Sequence, residues 1–178
     1  MKILLYMSII SMLFSADVVP ISKTIFKTEG VSVNLKGQNF IVIELNNFGH
    51  GAGNFYAIDK QGTVWLTGPI TAGAKWNRTP SGLFRIKYKK RYHMSSKYPD
   101  INGINNMDYS MFFNGGIALH KGSVINMSHG CIHINEKDVR PLFKWSRKKL
   151  PIVVTKNKYR HIVEKDLKRM GSFNKKHY

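Results

Sequence analysis

Ile117-Ala118-Leu119-His120-Lys121-Gly122, a short loop, and then Ser128-His129-Gly130-Cys131-Ile132-His133-Ile134 hold the only cysteine of the chain and three of its seven histidines. Two short apolar runs joined by a loop read as strands, and a hairpin between them would bring His120 to face Cys131. A thiol is a useful nucleophile only as thiolate, and a nearby imidazole can take its proton. A cysteine met alone is usually a small buried hydrophobe. Here the neighbours argue otherwise. Gly130 lets the backbone turn sharply just before the thiol, and polar Ser128 and His129 stand where a core strand would carry apolar residues.

The 178 residues suffice for one domain with its own core. The net charge of +18 points to a polyanionic environment: nucleic acid, an acidic membrane surface or an acidic cell-wall polymer. The plain alternative is a solvated basic surface. The N-terminus reads as a signal peptide over residues 1–16, with Lys2 as a minimal positive region, Ile3 to Phe14 as the apolar run and Ser15-Ala16 as small residues for cleavage. Phe14 fits poorly at the −3 position of a cut after Ala16, so a cut after Ser15, or retention as an anchor, are the alternatives. No cysteine follows for a lipid anchor. Export to the periplasm or cell envelope follows as an expectation, and it sharpens the case of the cysteine: oxidising compartments favour disulfides, yet one Cys cannot form one within the chain.

Outward from the central stretch, strands dominate. Residues 17–38 are a polar, basic lead-in with a short strand at Ile25-Phe26 or at Val31 to Leu35. Phe40 to Leu45 is a strand rich in β-formers. The glycine-rich Gly49 to Gly53 superficially resembles a phosphate-binding loop, but the strand Phe55 to Asp59 follows it and no helix does, so it reads as a hairpin turn. Lys60-Gln61-Gly62 turns into Thr63 to Thr67. Thr79-Pro80-Ser81-Gly82 is a turn, and Leu83 to Tyr88 alternates as a half-exposed strand. Lys89 to Ser110 has no sustained period, and a loop this long inside a domain is usually functional or disordered. It reads as one wall of a substrate cleft, whose lysines, with Arg85 and Arg91, would supply cations. Met111 to Phe113, a bend at Gly115-Gly116 and Ile117 to His120 lead into the central stretch. Asn135 then caps a helix that Pro141 would kink or divide. Leu150 to Thr155 is a last buried strand, and 156–178 a basic amphipathic tail, helical and either packed on the domain or laid on an anionic surface. The predicted fold is mainly β, a β-sandwich or partly closed barrel with one helix after the cysteine and one at the C-terminus.

Three motifs in order are similar to those of the L,D-transpeptidase catalytic domain family (the YkuD-like fold), which cross-links peptidoglycan. They are Ser128-His129-Gly130-Cys131-Ile132, the upstream Ile117 to Gly122, and Thr79-Pro80-Ser81-Gly82-Leu83-Phe84-Arg85-Ile86. The resemblance covers roughly Phe40 to Thr155, giving a catalytic domain at 39–155. Seven residues separate His120 from Ser128, as in the short-loop members. His133 stands where many members carry Arg or Asn.

The resemblance implies Cys131 as nucleophile and His120 as general base and acid, oriented by the backbone carbonyl of Lys121 or Gly122. The thiolate would attack the carbonyl of the L-centre of a diamino acid in a stem tetrapeptide and release D-Ala. An amine acceptor would give a cross-link. Water would make the protein an L,D-carboxypeptidase instead. Backbone N–H groups near Gly130 and Cys131 are candidates for an oxyanion hole. His129 supports the site, and Ser128 bonds either substrate or the turn itself. Arg85, Tyr109 and His133 are candidates for substrate contact. No metal and no cofactor are implied. The partners would be peptidoglycan stem peptides and an anionic wall or membrane surface, with a role in cell-wall organisation and cell shape.

Two other readings compete. His129, Cys131 and His133 alternate onto one face of an extended segment, and with His120 they would suit zinc, although Gly130 suggests a turn and the spacing fits no common zinc module. A binding module driven by charge would stack bases on the aromatics of Lys87 to Tyr109, but export argues against nucleic acid.

Overall fold

The computed structural model describes residues 17–46 and 50–171. The expected leader lies outside them, as do 47–49 in the expected glycine-rich turn and 172–178 at the end of the basic tail. In chain order the elements are β1 (Val19–Pro20), β2 (Ile25–Thr28), β3 (Val31–Asn34), β4 (Phe40–Leu45), β5 (Ala52–Ile58), β6 (Val64–Thr71), β7 (Gly82–Arg85), β8 (Tyr88–Lys90), β9 (Ser110–Asn114), β10 (Ile117–Lys121), β11 (Ile132–Ile134), α1 (Glu136–Trp145), β12 (Pro151–Thr155) and α2 (Glu164–Arg169). The chain is mainly β, with its helices after the cysteine and near the C-terminus.

Nine strands form one sheet in the order β7-β12-β4-β5-β6-β11-β10-β9-β8, and β1-β2-β3 form a separate antiparallel meander. The edge strands β7 and β8 are successive parts of one stretch. Within it the Ile86 N–H donates to the Leu150 carbonyl (3.0 Å) beside β12, and the next residue, Lys87, donates to the Phe112 carbonyl (2.7 Å) on β9. One segment therefore ties both edges together, and the sheet curls into a partly closed barrel. The expected single strand from Leu83 to Tyr88 is divided at this crossing. The lead-in contains both of the short strands offered as alternatives.

Period-two alternation gives the sheet two apolar faces. The inner face carries Ile41, Phe55, Ile70, Leu119, Ile132 and Ile152, against Val139 and Leu142 of α1. The outer face carries Phe40, Val42, Tyr56 and Val153, covered by Phe26 of the meander and by Tyr159, Val163 and Leu167. Burying the Val163 and Leu167 side chains is worth about 1.5–3 kcal/mol each, which packs α2 on the domain. At the β11–β10–β9 end the outer face carries Phe112, Ala118 and Met107, with Cys131 against them.

Helix α1 is single. The Asn135 side chain accepts from the Asp138 N–H (3.1 Å) and donates to the Asp138 carboxylate (2.6 Å). Pro141 sits inside the helix without dividing it, since it removes one backbone donor only. The C-terminal end is closed by Lys89, whose ammonium donates to the Phe143 carbonyl and to the Ser146 carbonyl (2.7 Å). Lys89 is thus a helix cap, not one of the cations expected for substrate.

Candidate active site

Strands β10 and β11 are adjacent but parallel, with Leu119 opposite Ile132 and His120 opposite His133. The expected hairpin is therefore corrected. Residues 122–131 run back across the end of β6, where the Ser128 N–H donates to the Ala72 carbonyl (3.0 Å) and the Ala74 N–H to the Ser128 carbonyl (2.9 Å). That detour returns the chain to the starting end of β10, so β11 runs the same way. Alternation still sets Ala118, His120 and His133 on the outer face, with Cys131 at the entrance to β11.

The turn before Cys131 is tied from both sides. Gly130 has φ of 115°, in the region that favours glycine. Its N–H donates to the Ser128 hydroxyl (3.0 Å), which itself donates to the Cys131 carbonyl (2.5 Å). Of the two roles expected for Ser128, the hydroxyl fills the turn-binding one. Thr79 is 2% exposed; its hydroxyl accepts from the Gly73 N–H (3.0 Å) and donates to the Gly130 carbonyl (2.8 Å). A side chain at Gly73 would stand 1.9 Å from the Asn77 carbonyl oxygen and 2.9 Å from the Gly130 Cα, so only glycine permits this approach. Because the peptide unit is planar and trans, fixing the Gly130 carbonyl fixes the Cys131 N–H on the opposite side. The Gly130 N–H is engaged by Ser128. Of the two expected oxyanion donors, that leaves the one on Cys131.

Thr79 had no role assigned from sequence, because its partners are distant in the chain. Thr79→Val keeps the shape and strands two buried backbone groups. It should cost about 1–3 kcal/mol of stability, read by chemical denaturation, and slow peptide turnover more than thiol alkylation by a small reagent.

His120 is 4% exposed, and its Nδ1 lies 2.7 Å from the Lys121 carbonyl oxygen. A carbonyl only accepts, so Nδ1 carries the hydrogen and Nε2 holds the basic lone pair. The carbonyl is itself held in place: the Lys121 N–H donates to the Asp108 carbonyl (2.9 Å) and the Gly122 N–H to the Ile134 carbonyl (3.0 Å). Burial lowers the His120 pKa to about 4, helped by neighbouring His133 and His93 and opposed by the Lys121 carbonyl. The His133 ring stands edge-on at 4.9 Å between centroids. Its Nδ1 lies 3.1 Å from the Ser123 carbonyl oxygen and 3.3 Å from that of Asn126, which assigns the same tautomer. A Cβ on Gly122 would meet the His133 ring at 2.6 Å, so Gly122 makes room for it. Burial pushes the Cys131 thiol above its ordinary value, against a hydrogen bond with the Ala118 backbone. The Sγ lies 3.8 Å from the Gly116 carbonyl oxygen. At neutral pH Cys131 is therefore a thiol and His120 a neutral imidazole, not a preformed ion pair.

The loop 91–109 lies over this face. Tyr98 stacks on His129, with centroids 3.9 Å apart and planes 14° apart. His93 meets Phe112 edge-on at 5.2 Å. Neither Tyr98 nor His93 stands out from its neighbours in sequence. Two expected substrate contacts lie elsewhere. Arg85 donates to the Lys149 carbonyl (2.9 Å), at the β7–β12 end of the sheet. Tyr109, with φ of 58°, belongs to the inner core and meets Phe143 at 5.6 Å. Arg91 lies 3.5 Å above the Tyr109 ring, and its guanidinium is 3.7 Å from the Asp108 carboxylate. Both arginines offered as substrate cations are thus bound into the scaffold. Tyr109 is two residues from inner-facing Met111 and four from Phe113, and that parity is the signal that would have placed it. Among the described residues no three His, Cys, Asp or Glu side chains gather as metal ligands, and the His129 ring is stacked on Tyr98.

The chain has no match among curated sequences. Solved structures with a similar fold include an L,D-transpeptidase from Stackebrandtia nassauensis (21% identity, TM-score 0.56, covering 68% of this chain and 57% of that one). An Enterococcus faecium L,D-transpeptidase mutant is similar at 20% identity and TM-score 0.53, covering 70% of this chain and 55% of the other. An L,D-transpeptidase from Mycobacterium smegmatis follows at 19% identity and TM-score 0.52, covering 74% and 65%. The chain thus spans less than two thirds of each of these proteins. The model of the L,D-transpeptidase catalytic domain, YkuD, matches residues 39–154, well over half of the sequence, and the chain belongs to that family.

Proposed function

We propose that the protein is an exported peptidoglycan L,D-transpeptidase that works through a Cys131 thioester. The observation that carries this reading is the placement of a turn-mounted thiol at the start of β11 and a buried imidazole on the adjacent β10, whose tautomer leaves Nε2 basic. His120 Nε2 takes the thiol proton as Cys131 Sγ attacks the carbonyl carbon of the L-centre in a stem tetrapeptide. The Cys131 N–H holds the oxyanion. Collapse breaks the C–N bond, and the imidazolium returns the proton to the departing D-Ala amine. An amine of a second stem peptide then gives a proton to Nε2 and attacks the thioester, breaking the C–S bond and restoring the thiol. With water in place of the amine, the same steps trim the tetrapeptide.

Charge supports an acidic, carboxylate-bearing substrate. Between Asp59 and Asp100 the chain has nine Lys and Arg and no acidic residue; Arg85, Lys89 and Arg91 among them are tied into the scaffold, while Lys75, Arg78 and Lys97 lie in the loops beside the Cys131 turn. An anionic cell wall or membrane surface in the periplasm or envelope suits the same excess.

Incubation of the purified protein with muropeptides, followed by mass spectrometry, tests the proposal. Loss of D-Ala with formation of dimers joined between two diamino acids is the expected outcome. Trimming without dimers selects hydrolysis, and neither product defeats both. Exchange of residues 92–106 for a short Gly-Ser linker removes the Tyr98–His129 stack. It should raise KM for stem peptides about tenfold, a loss of ~1.4 kcal/mol, while leaving thiol alkylation intact. An unchanged KM would mean that the loop forms no wall of the cleft.

A further inference from the structure

Trp76 is 86% exposed, in contrast to Trp65 and Trp145, which pack together at 5.1 Å on the α1 side. It stands on a tight turn, closed by the Asn77 N–H donating to the Ala74 carbonyl (2.9 Å) and by Arg78 Nε donating to the Lys75 carbonyl (3.3 Å). Lys75 holds its ammonium 5.1 Å from the Trp76 ring centroid. The base of the turn is the segment that holds the catalytic cysteine in place. Ala72 and Ala74 bond Ser128, and Thr79 joins Gly73 to the Gly130 carbonyl. Trp76 is thus a flat apolar surface, flanked by two cations and carried on a short connection from the Cys131 turn.

We infer that Trp76, with Lys75 and Arg78, is a subsite for the glycan strand of the substrate, the indole stacking on the C–H face of an amino-sugar ring while the cations take carboxylates beside it. Three features favour this occupant. A large indole, 86% exposed, presents a flat apolar surface that suits the apolar face of a pyranose. The neighbouring charges are both positive, and the nearest acidic residues in sequence are Asp59 and Asp100. The turn is pre-ordered by hydrogen bonds, so binding there costs little further entropy. The inference rests on the proposed peptidoglycan activity for the identity of the polymer. It adds that the protein recognises sugar as well as peptide.

The test is binding to the full chain carrying Cys131→Ala, with and without Trp76→Ala. The probes are a β-1,4-linked amino-sugar disaccharide bearing a stem tetrapeptide, and the free tetrapeptide. Trp76→Ala should weaken the disaccharide-peptide about tenfold or more, as expected of a tryptophan anchor, and leave the free tetrapeptide within about twofold. The change should appear as a fluorescence shift that Trp76→Ala abolishes. Equal weakening of both probes, no weakening of either, or failure of the disaccharide-peptide to bind would overturn the subsite. Binding of a short single-stranded oligothymidine with the same Trp76 dependence would overturn the sugar assignment in favour of nucleic acid. Thioester formation with the free tetrapeptide, measured on the chain with Cys131 intact, tests the activity separately. Its failure with sugar binding retained would remove the transpeptidase reading and leave the subsite standing.

Discussion

Cys131→Ala should lower release of D-Ala from a stem tetrapeptide by about 10⁵-fold or more, the scale of loss when a nucleophile is removed from a preorganised site. The fold should survive. Cys131 is only partly buried, and the ties that shape its turn run through the Ser128 and Thr79 hydroxyls and through backbone groups, all of which alanine keeps. The unfolding free energy should therefore change by less than about 1 kcal/mol. Mass spectrometry of the intact protein separates the cases: the wild type gains a thioester adduct from the tetrapeptide and the variant gains none. Turnover by the alanine variant at the wild-type rate would end the nucleophile assignment.

The second large effect is on pH dependence. A base works only while neutral, and burial holds the His120 pKa at about 4. The acid limb of kcat/KM should fall near pH 4 and not near the 6.5 of an ordinary imidazole. At pH 5 an ordinary histidine would be almost wholly protonated, whereas His120 is mostly neutral. His120→Gln should cost about 10²–10⁴-fold in rate and remove that limb.

The same depression is linked to stability. Below an unfolded pKa near 6.5 the unfolded chain binds a proton that folded His120 refuses, so stability is full above pH 6.5 and declines as pH falls towards 4. The loss is on the order of 3 kcal/mol, and His93 and His133, also lowered by burial, act in the same direction. Denaturation at pH 7 and pH 4.5 measures it. A rate that halves near pH 6.5 would show that His120 is more open to water than its burial implies.

Much of the fold was legible because short continuous runs of β-branched and other apolar residues reveal a strand buried on both faces whatever its partners. Phe40 to Leu45, Ile117 to His120 and Leu150 to Thr155 all stand out in this way. Partner direction is another matter. The apolar runs around His120 and Cys131 look alike for a hairpin and for parallel strands, and the choice is made by Ser128 bonding Ala72 and Ala74, far away in the chain. Arg85 and Lys89 are basic residues in a basic stretch, and only the folded chain shows that each caps backbone carbonyls. The Cys131 and His120 motifs were visible because their chemistry is local. Thr79 sat in a quoted motif without a role, because its hydroxyl acts between two segments that are joined only by folding.

Strand β12 lies between β4 and β7, parallel to one and antiparallel to the other. Among the described residues it is the last strand in chain order. Until residues 151–155 are available, β4 lacks a neighbour on one side, and β7 cannot join the sheet whose other edge its own continuation, β8, supplies. Pairings of such long sequence separation form late and slowly, and the open intermediate would present unpaired strand edges. A chain arrested before Pro151 would contain Cys131, His120 and the rest of the candidate site and no closed sheet to hold them in register. The ordering of the candidate site thus waits on a strand that contributes none of its side chains.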